Sequence, residues 1–295
     1  MVKVYARREW HALKKSGGAW KVGRFLAFIT VSHPGQGYMF PARAAETVKP
    51  IIDAGSAEKL WEDDDSLHRH STIYVQAPGT PPAGHYAISV YIVPVPDRLP
   101  AFQITGSLYL AASRQWDGML DKPSWPDGYA VTFHVDDRRW ITSNYTDSDL
   151  LARQRGARRS RTWGDGRGFG VRAKVTADLT AEALLQWRRQ ACCAYDRFIV
   201  LAGVAYPYGV DRADPDNSAE TVNAILQAGI TAGAWQDVTM RHCKGVAFFR
   251  LPNLKRRGVH EVRLMVLPVP EGFQLSGTIA DMAEHAWAEH DRRCA

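Results

Sequence analysis

The strongest constraint on the fold of this chain is an internal repeat. Residues 41–96 align without a gap with residues 215–270 when the chain is shifted by 174 positions. Sixteen of the 56 aligned positions are identical, about 29%. Two copies are too few for a stacked solenoid, which needs about three or more repeats. The repeat therefore predicts a duplicated small domain whose two units pack together as an intrachain pseudo-dimer.

The domain boundaries follow from this repeat. We predict a first unit at 1–116 and a second, longer unit at 129–295. Between them, residues 117–128 are rich in proline, glycine and aspartate and are typical of a linker. The first unit lacks the opening strand of the second, so its sheet is expected to be smaller or to be completed by the other copy.

Hydrophobic periodicity predicts an α+β fold, in which each unit is a small mixed sheet with helices packed on it. The predicted elements of the second unit are a strand at 129–135, a helix at 179–198 capped by Thr180, a buried strand at 198–206, a helix after Asn217, a hairpin formed by 245–251 and 260–269, and a terminal helix at 278–290.

Composition excludes several classes of protein. The 295 residues carry a net charge of +6, which permits an anionic partner. The four cysteines form no C-x-x-C pair and suit a reducing cytoplasm. The start "MVKVYARREWHALKK" has no signal-peptide pattern, and no apolar run is long enough to span a membrane. The chain is therefore expected to be cytoplasmic.

Three aspartates in the second copy are candidate metal ligands. Asp214 and Asp216 follow a predicted strand, and alternate residues of an extended segment point to the same side. Asp237 follows the next helix and could return to the same point. Converging carboxylates favour a hard cation, Mg²⁺ or Mn²⁺, which can activate water and stabilise charge on a phosphate. The alternative interpretation is that the D-x-D pair is loop polarity and that Asp237 caps a turn.

The stretch "DRADPDN…AILQAGITAGAWQD" (211–237), with "ITSNYTDSDLLARQRGARR" (141–159) before it, resembles the RusA family of Holliday-junction resolvases. The resemblance covers about 126–277, and a second, poorer copy covers 20–106. It implies a dimeric, Mg²⁺-dependent endonuclease that cuts four-way DNA junctions in recombination or repair, in the form common among actinobacterial phages. It assigns Asp214, Asp216 and Asp237 to metal binding and catalysis.

Each copy departs from the family pattern in a different way. In the second copy, Val238 stands where the family has its second acid, and Asn223 stands at the family lysine position. In the first copy, Phe40 and Ala42 replace the D-x-D acids. That copy keeps Lys49 at the family's lysine position and has Asp63, Asp64 and Asp65 after the helix.

Three interpretations of these losses remain open. The second copy could bind the metal alone, or both sites could have decayed to leave a protein that binds DNA without cutting it. The third is a composite site, in which Lys49 and Asp63 or Asp64 reach across to Asp214 and Asp216. The wide separation usual between active sites in a symmetric junction-cutting dimer argues against this third interpretation.

A basic segment at 150–174 is the predicted DNA-binding surface. It is rich in arginine and glycine and contains Trp163 and Phe169, which could stack on unpaired bases. The alternative is a solvated loop, or a partner for the acidic stretch 61–65. The candidate DNA-binding residues are Asn144, Arg153, Arg155, Arg158, Arg159, Arg161, Arg167, Arg172 and Asn217.

The leading hypothesis is therefore a duplicated, structure-selective endonuclease with one degenerate half. One intact site per chain predicts either a single nick or a homodimer of the whole chain. The alternative is a non-catalytic accessory protein that binds branched DNA and derives from a resolvase.

Overall fold

A computed structural model of the chain describes residues 1–34, 39–77, 79–95, 128–142, 144–154, 170–190, 193–210 and 212–273. These ranges contain five α-helices, two short 3₁₀-helices and seven strands. The helices are α1 (Val2–Lys15), α2 (Ala45–Ala57), α3 (Asp147–Gln154), α4 (Val171–Trp187) and α5 (Ala219–Ala232). The 3₁₀-helices are η1 (Pro41–Ala44) and η2 (Pro215–Ser218). The strands are β1 (Phe25–Ser32), β2 (Arg69–Gln76), β3 (Ala87–Pro94), β4 (Tyr129–Asp136), β5 (Phe198–Ala205), β6 (Cys243–Arg250) and β7 (Val259–Pro268).

The seven strands form one mixed sheet in the order β3-β1-β2-β6-β5-β7-β4. The predicted α+β class with a mixed sheet is thereby confirmed. In each repeat a central strand, β1 or β5, has a parallel neighbour on one side and an antiparallel neighbour on the other. The antiparallel pair β2–β6 joins the strands of the two repeats into one continuous sheet.

The register of β2 against β6 has the same offset as the sequence repeat. Ile73 pairs with Ala247, which lies 174 positions further along the chain. On either side of this pair, Ser71 faces Phe249 and Val75 faces Gly245. Exchanging each residue for its repeat counterpart therefore gives the same set of pairs.

A tryptophan pair packs in the same way in each half. Trp10 of α1 meets the Trp61 ring edge to face, with 5.5 Å between ring centroids. In the second half, Trp187 of α4 meets Trp235 at 5.3 Å, again edge to face. The indole of Trp10 donates to the carbonyl of Ile51, and that of Trp187 donates to the aligned carbonyl 174 positions later. Helix α1 thus occupies in the first half the role that α4 has in the second.

One of the two glycines shared by both repeats is explained by this packing. A Cβ atom on Gly55 would lie 2.0 Å from the Trp61 ring, and one on Gly229 would lie 2.5 Å from Trp235. Both contacts are shorter than any side chain tolerates, so each tryptophan needs a glycine opposite it.

The strand predictions were more accurate than the helix and hairpin predictions. Strands at 129–135 and 198–206 are confirmed as β4 and β5. The predicted helix at 179–198 is wrong at both ends, because α4 spans Val171–Trp187. Thr180 lies inside that helix and donates to the carbonyl of Thr176, so it does not cap it.

The predicted hairpin is also wrong. Strands β6 and β7 follow each other in the chain, but β5 lies between them and pairs with both. The terminal helix at 278–290 and almost all of the linker at 117–128 lie outside the described residues. None of the helices within the described ranges combines the length and apolar character that a bilayer span requires.

Candidate functional site

The D-x-D-N segment of the second repeat lies against the first repeat. Pro215 begins the 3₁₀-helix η2, which directly follows Asp214 and contains Asp216 and Asn217. Proline fits the first position of a helix because its missing N–H needs no acceptor there. Helix η2 contacts both β2 and β6, the two strands that meet at the centre of the sheet. This position brings the second repeat's acids beside side chains of the first.

Lys49 of the first repeat reaches these acids. Its Nζ donates to Asp214 Oδ2 at 2.5 Å and to Asn217 Oδ1 at 3.2 Å. It also lies 3.3 Å from Asn144 Oδ1, and Asn144 Nδ2 donates to Asn217 Oδ1 at 3.2 Å. Lys49 and Asp214 are only partly exposed, which strengthens their attraction relative to a surface pair. One ammonium group therefore links three polar residues of the second repeat.

A buried arginine gathers three carboxylates around one nitrogen atom. Arg69, at the start of β2, is 0% exposed. Its Nη2 lies 3.2 Å from Asp216 Oδ1, 3.4 Å from Asp64 Oδ2 and 3.9 Å from Asp214 Oδ2. Burial alone would lower the pKa of Arg69, but the three carboxylate charges raise it above its ordinary value. We call Lys49, Asp64, Arg69, Asp214 and Asp216 the composite cluster, since two repeats supply it.

Asp64 is a buried acid of the composite cluster, and its surroundings disfavour the ionised form. Burial raises the pKa of its carboxyl to about 7, and the nearby charge of Asp214 adds to the shift while Arg69 and Lys49 oppose it. A further positive charge at this point would favour the ionised carboxylate and lower that pKa. A cation held there would therefore release the proton of Asp64.

Tyr74 holds Asp216 from the other side. Its hydroxyl donates to Asp216 Oδ2 at 2.5 Å, and both groups are buried. Burial, together with the Asp216 charge, raises the pKa of Tyr74 well above its ordinary value, so the phenol stays a donor. Both oxygens of Asp216 thus have a partner, and each keeps a lone pair for a further ligand.

The structure places Asp237 and Asp63 away from this hydrogen-bonded set. Asp237 accepts from the backbone and hydroxyl of Thr239, at 2.7 and 2.6 Å, and lies 3.6 Å from His242 Nε2. Asp63 accepts from the backbone N–H of Asp64. Neither has a hydrogen bond or ion pair to Asp214 or Asp216 within the described chain. Asp237 therefore has the contacts of a turn cap, the alternative interpretation of its place in the sequence.

The predicted DNA-binding residues divide into three groups. Asn144 and Asn217 border the composite cluster. Arg153 lies 3.3 Å from Asp137 and over the Tyr145 ring, and Arg172 is bonded to Glu220 and to the Tyr145 carbonyl. The other predicted arginines, at positions 155, 158, 159, 161 and 167, lie outside the described residues.

Sequence reasoning missed Arg69 and Tyr74. Their repeat counterparts are Cys243 and Phe248, so the polar groups of both occur only in the first repeat. The sequence did carry a signal for them. One copy of this buried strand has a charged residue and a hydroxyl at positions where the other copy has a cysteine and a phenylalanine.

A counterpart cavity lies beside the composite cluster. Its volume is about 560 Å³, and Asp216 and Asn217 also line it. The remaining wall includes the residues that align with Asp214, Asp216, Lys49 and Asp64, namely Phe40, Ala42, Asn223 and Val238. All four of these are uncharged.

The donor chemistry of the composite cluster suits Mg²⁺, which prefers carboxylate and carbonyl oxygens and is held through one or two carboxylates. As placed, the described residues include no group of three or more histidine, cysteine, aspartate or glutamate side chains that could hold a metal ion. The positive charges among the acids are those of Arg69 and Lys49.

Comparison with protein-family models, with curated proteins and with solved structures finds no significant match.

Proposed function

We propose that the chain is an intrachain pseudo-dimer with one composite nuclease centre, and that it is a Mg²⁺-dependent endonuclease acting on branched DNA. The observation that carries this proposal is that Lys49 of the first repeat contacts Asp214 of the second at 2.5 Å. Asp64, also of the first repeat, shares the Arg69 guanidinium with Asp214 and Asp216. Lys49 and Asp64 of the first repeat thus meet Asp214 and Asp216 of the second at one point, whereas Asp63 and Asp237 lie outside it.

This arrangement explains why the two repeats have lost different residues. If each centre of a symmetric ancestor took its D-x-D acids from one unit and its lysine and second acid from the other, one centre can be lost without harming the other. Loss of one centre would remove the D-x-D acids from the first repeat and the lysine and second acid from the second. Phe40, Ala42, Asn223 and Val238 are the residues at those positions.

The pseudo-dimer is supported by the register of the central strands. Ile73 pairs with its own repeat counterpart, Ala247, as a two-fold axis through that pair requires. The same tryptophan packing in both halves, at 5.5 and 5.3 Å between ring centroids, further supports two equivalent units.

In this centre, Asp64, Asp214 and Asp216 would hold the ion. A bound Mg²⁺ supplies Lewis-acid activation of water and charge stabilisation for the phosphate under attack. Lys49 and Arg69 supply positive charge beside the same carboxylates, and Lys49 is the more accessible of the two, with 26% of its side chain exposed. We assign Lys49 to contact with the scissile phosphate, and Arg69 and Tyr74 to positioning of the acids.

The experiment is cleavage of a synthetic four-way DNA junction in the presence of Mg²⁺, followed on a denaturing gel. One centre per chain is expected to cut one strand, giving a nick. Asp216→Asn is expected to reduce the rate at least about a thousandfold, as when a group acting at the transition state is removed. Asp178→Asn, on the exposed surface of α4, is the matched control and is expected to cut normally. Unchanged cutting by Asp216→Asn would rule out this centre.

One observation favours a non-catalytic alternative. Arg69 and Lys49 already neutralise much of the carboxylate charge of the composite cluster, as in a protein that has exchanged a metal for fixed cations. Such a protein would bind branched DNA in a salt-sensitive manner. It would not cut that DNA, whichever divalent metal is added. Binding without cleavage, across Mg²⁺ and Mn²⁺, would select this function.

A further inference from the structure

An open groove runs from the composite cluster across the second repeat. Its volume is about 580 Å³, within the range of small-molecule sites. Asn144 and Asn217 line the groove and also bond to Lys49, so one end of the groove opens onto the composite cluster. The other lining residues are rich in aromatic rings and arginine and include Trp140, Tyr145, Arg153, Tyr206, Tyr208 and Arg257. We call this feature the aromatic groove.

Two loops tied by backbone hydrogen bonds form one wall of the aromatic groove. The N–H of Tyr208 donates to the carbonyl of Arg256 at 3.0 Å, and the N–H of Leu254 donates to the carbonyl of Tyr206 at 2.8 Å. The Arg257 guanidinium lies 5.8 Å from the centre of the Tyr208 ring. The Tyr208 side chain is 62% exposed although it is large and aromatic. This wall therefore presents a fixed ring and a cation to whatever enters the groove.

A second feature of the groove is a hydroxyl without a partner. Tyr206 is 5% exposed, and among the described residues its OH has no hydrogen-bond partner. Burial raises the pKa of Tyr206 above its ordinary value, so the phenol remains protonated and can donate. A buried polar group without a partner is costly, and a ligand that accepts a hydrogen bond would relieve that cost.

Two buried rings, those of Trp140 and His260, lie beneath the aromatic groove. The rings of Trp140 and His260 stack with 3.8 Å between their centroids and 3° between their planes. Burial lowers the pKa of His260 to about 3, and Arg153 adds to that shift, so the imidazole is neutral near pH 7. The planar surface open to a ligand is therefore the ring of Tyr208, which is 62% exposed.

We infer that the aromatic groove binds one unpaired nucleotide of a DNA strand next to the phosphate held at the composite cluster. A base has a planar face for Tyr208 and acceptor atoms for the Tyr206 hydroxyl. Its phosphates carry the negative charge that Arg257 attracts, whereas Arg153 is paired with Asp137. An unpaired nucleotide is what a branch point offers and an intact duplex does not. This inference rests on the proposed function, since it supplies the selectivity for branched DNA.

The test is equilibrium binding to two fluorescent DNAs at one salt concentration, with EDTA present so that no cleavage occurs. One DNA is a fully paired duplex, and the other is the same duplex with a single unpaired nucleotide. We expect the full chain to bind the second DNA about tenfold more tightly, as one stacked base provides. Tyr208→Ala is expected to abolish this difference without weakening duplex binding, and Tyr208→Phe is expected to keep it.

Two further variants separate a ligand contact from a structural role. Tyr206→Phe removes the hydroxyl without a partner, so we expect an unchanged melting temperature and about a threefold loss of preference for the unpaired DNA. Tyr5→Ala removes a comparably exposed tyrosine from α1 and is expected to change nothing. Equal loss on both DNAs with Tyr208→Ala, or no preference in the unaltered chain, would overturn the inference while leaving DNA binding intact. No binding to either DNA would overturn the proposed function with it.

Discussion

The composite cluster and the counterpart cavity lie side by side, and aligned segments of the two repeats build them. In the cluster, three aspartates surround a buried guanidinium, and Lys49 pairs with one of them. In the cavity, a phenylalanine, an alanine, an asparagine and a valine stand at the aligned positions. All the charge of the aligned positions has been kept on one side and lost on the other.

Under the proposal, the two repeats together supply one set of residues that neither repeat supplies alone. The second repeat has the D-x-D acids without the lysine, and the first has the lysine without those acids. Burying Arg69 among three carboxylates is costly unless each charge has partners, and in the composite cluster each of these charges has at least one.

The largest expected effect on the cutting rate comes from replacing a single acid of the composite cluster. Under the proposal Asp64 belongs to the centre, whereas Asp237 caps a turn through Thr239. Asp64→Asn is therefore expected to lower the junction-cutting rate about a thousandfold, and Asp237→Asn to change it less than about threefold. Single-turnover cleavage measures both. If Asp237→Asn lowered the rate more than Asp64→Asn, the centre would lie in the second repeat alone.

The residues of the D-x-D-N segment could be found from sequence because their convergence is local. Alternate side chains of an extended segment share a face wherever that segment lies. The partner of Asp214 could not be found in this way. Lys49 lies 165 positions away, and its approach depends on the register of β2 against β6, which no local pattern fixes.

The same limit applies to the fold and to Arg69. Strands β4 and β5 have clear hydrophobic patterns, so they could be predicted, whereas the insertion of β5 between β6 and β7 is a long-range event. In the sequence, Arg69 resembles any surface arginine next to an acidic stretch. Its complete burial follows from the position of β2 at the centre of the sheet.

The next prediction tests whether Arg69 holds the acids together. Arg69→Met leaves Asp64, Asp214 and Asp216 buried without their shared cation, and breaking a buried ion pair costs about 3–5 kcal/mol. We expect a loss of that size in the free energy of unfolding, measured by urea denaturation at pH 7. Millimolar Mg²⁺ is expected to restore part of it, because an ion bound only by the folded state stabilises that state.

The matched control is Arg263→Met. Arg263 pairs with Glu261 at 2.6 Å, but its side chain is 62% exposed, so the expected loss is below about 1 kcal/mol. Equal losses for the two variants would mean that the guanidinium of Arg69 is not the cation that stabilises the cluster.

A smaller effect is expected from pH. The pKa of Asp64 is about 7 in the folded chain and near 3.8 when unfolded, so the folded chain holds this proton more tightly. The contribution of Asp64 to stability is thus present at low pH and is lost as the pH rises towards 7. The free energy of unfolding of the unaltered chain, minus that of Asp64→Asn, should fall by about 2 kcal/mol between pH 5 and pH 7.

Taking the difference between these two proteins removes the contribution of Glu220, whose pKa is also raised to about 7, mainly by burial. With saturating Mg²⁺ the fall should shrink, since the ion favours the ionised carboxylate. A difference that does not change between pH 5 and pH 7 would show that Asp64 is ionised throughout.

The smallest expected effect concerns two glutamates at aligned positions, Glu46 and Glu220. They hydrogen-bond to each other, which raises the pKa of Glu220, but only Glu220 also pairs with Arg172. At pH 8, Glu46→Gln replaces a repulsive pair by an amide donor and is expected to stabilise the chain by about 0.5 kcal/mol. Glu220→Gln leaves Arg172 without its carboxylate and is expected to destabilise it by a similar amount. Thermal unfolding of the two variants should therefore shift in opposite directions, and shifts in the same direction would mean that the two halves are equivalent at this pair.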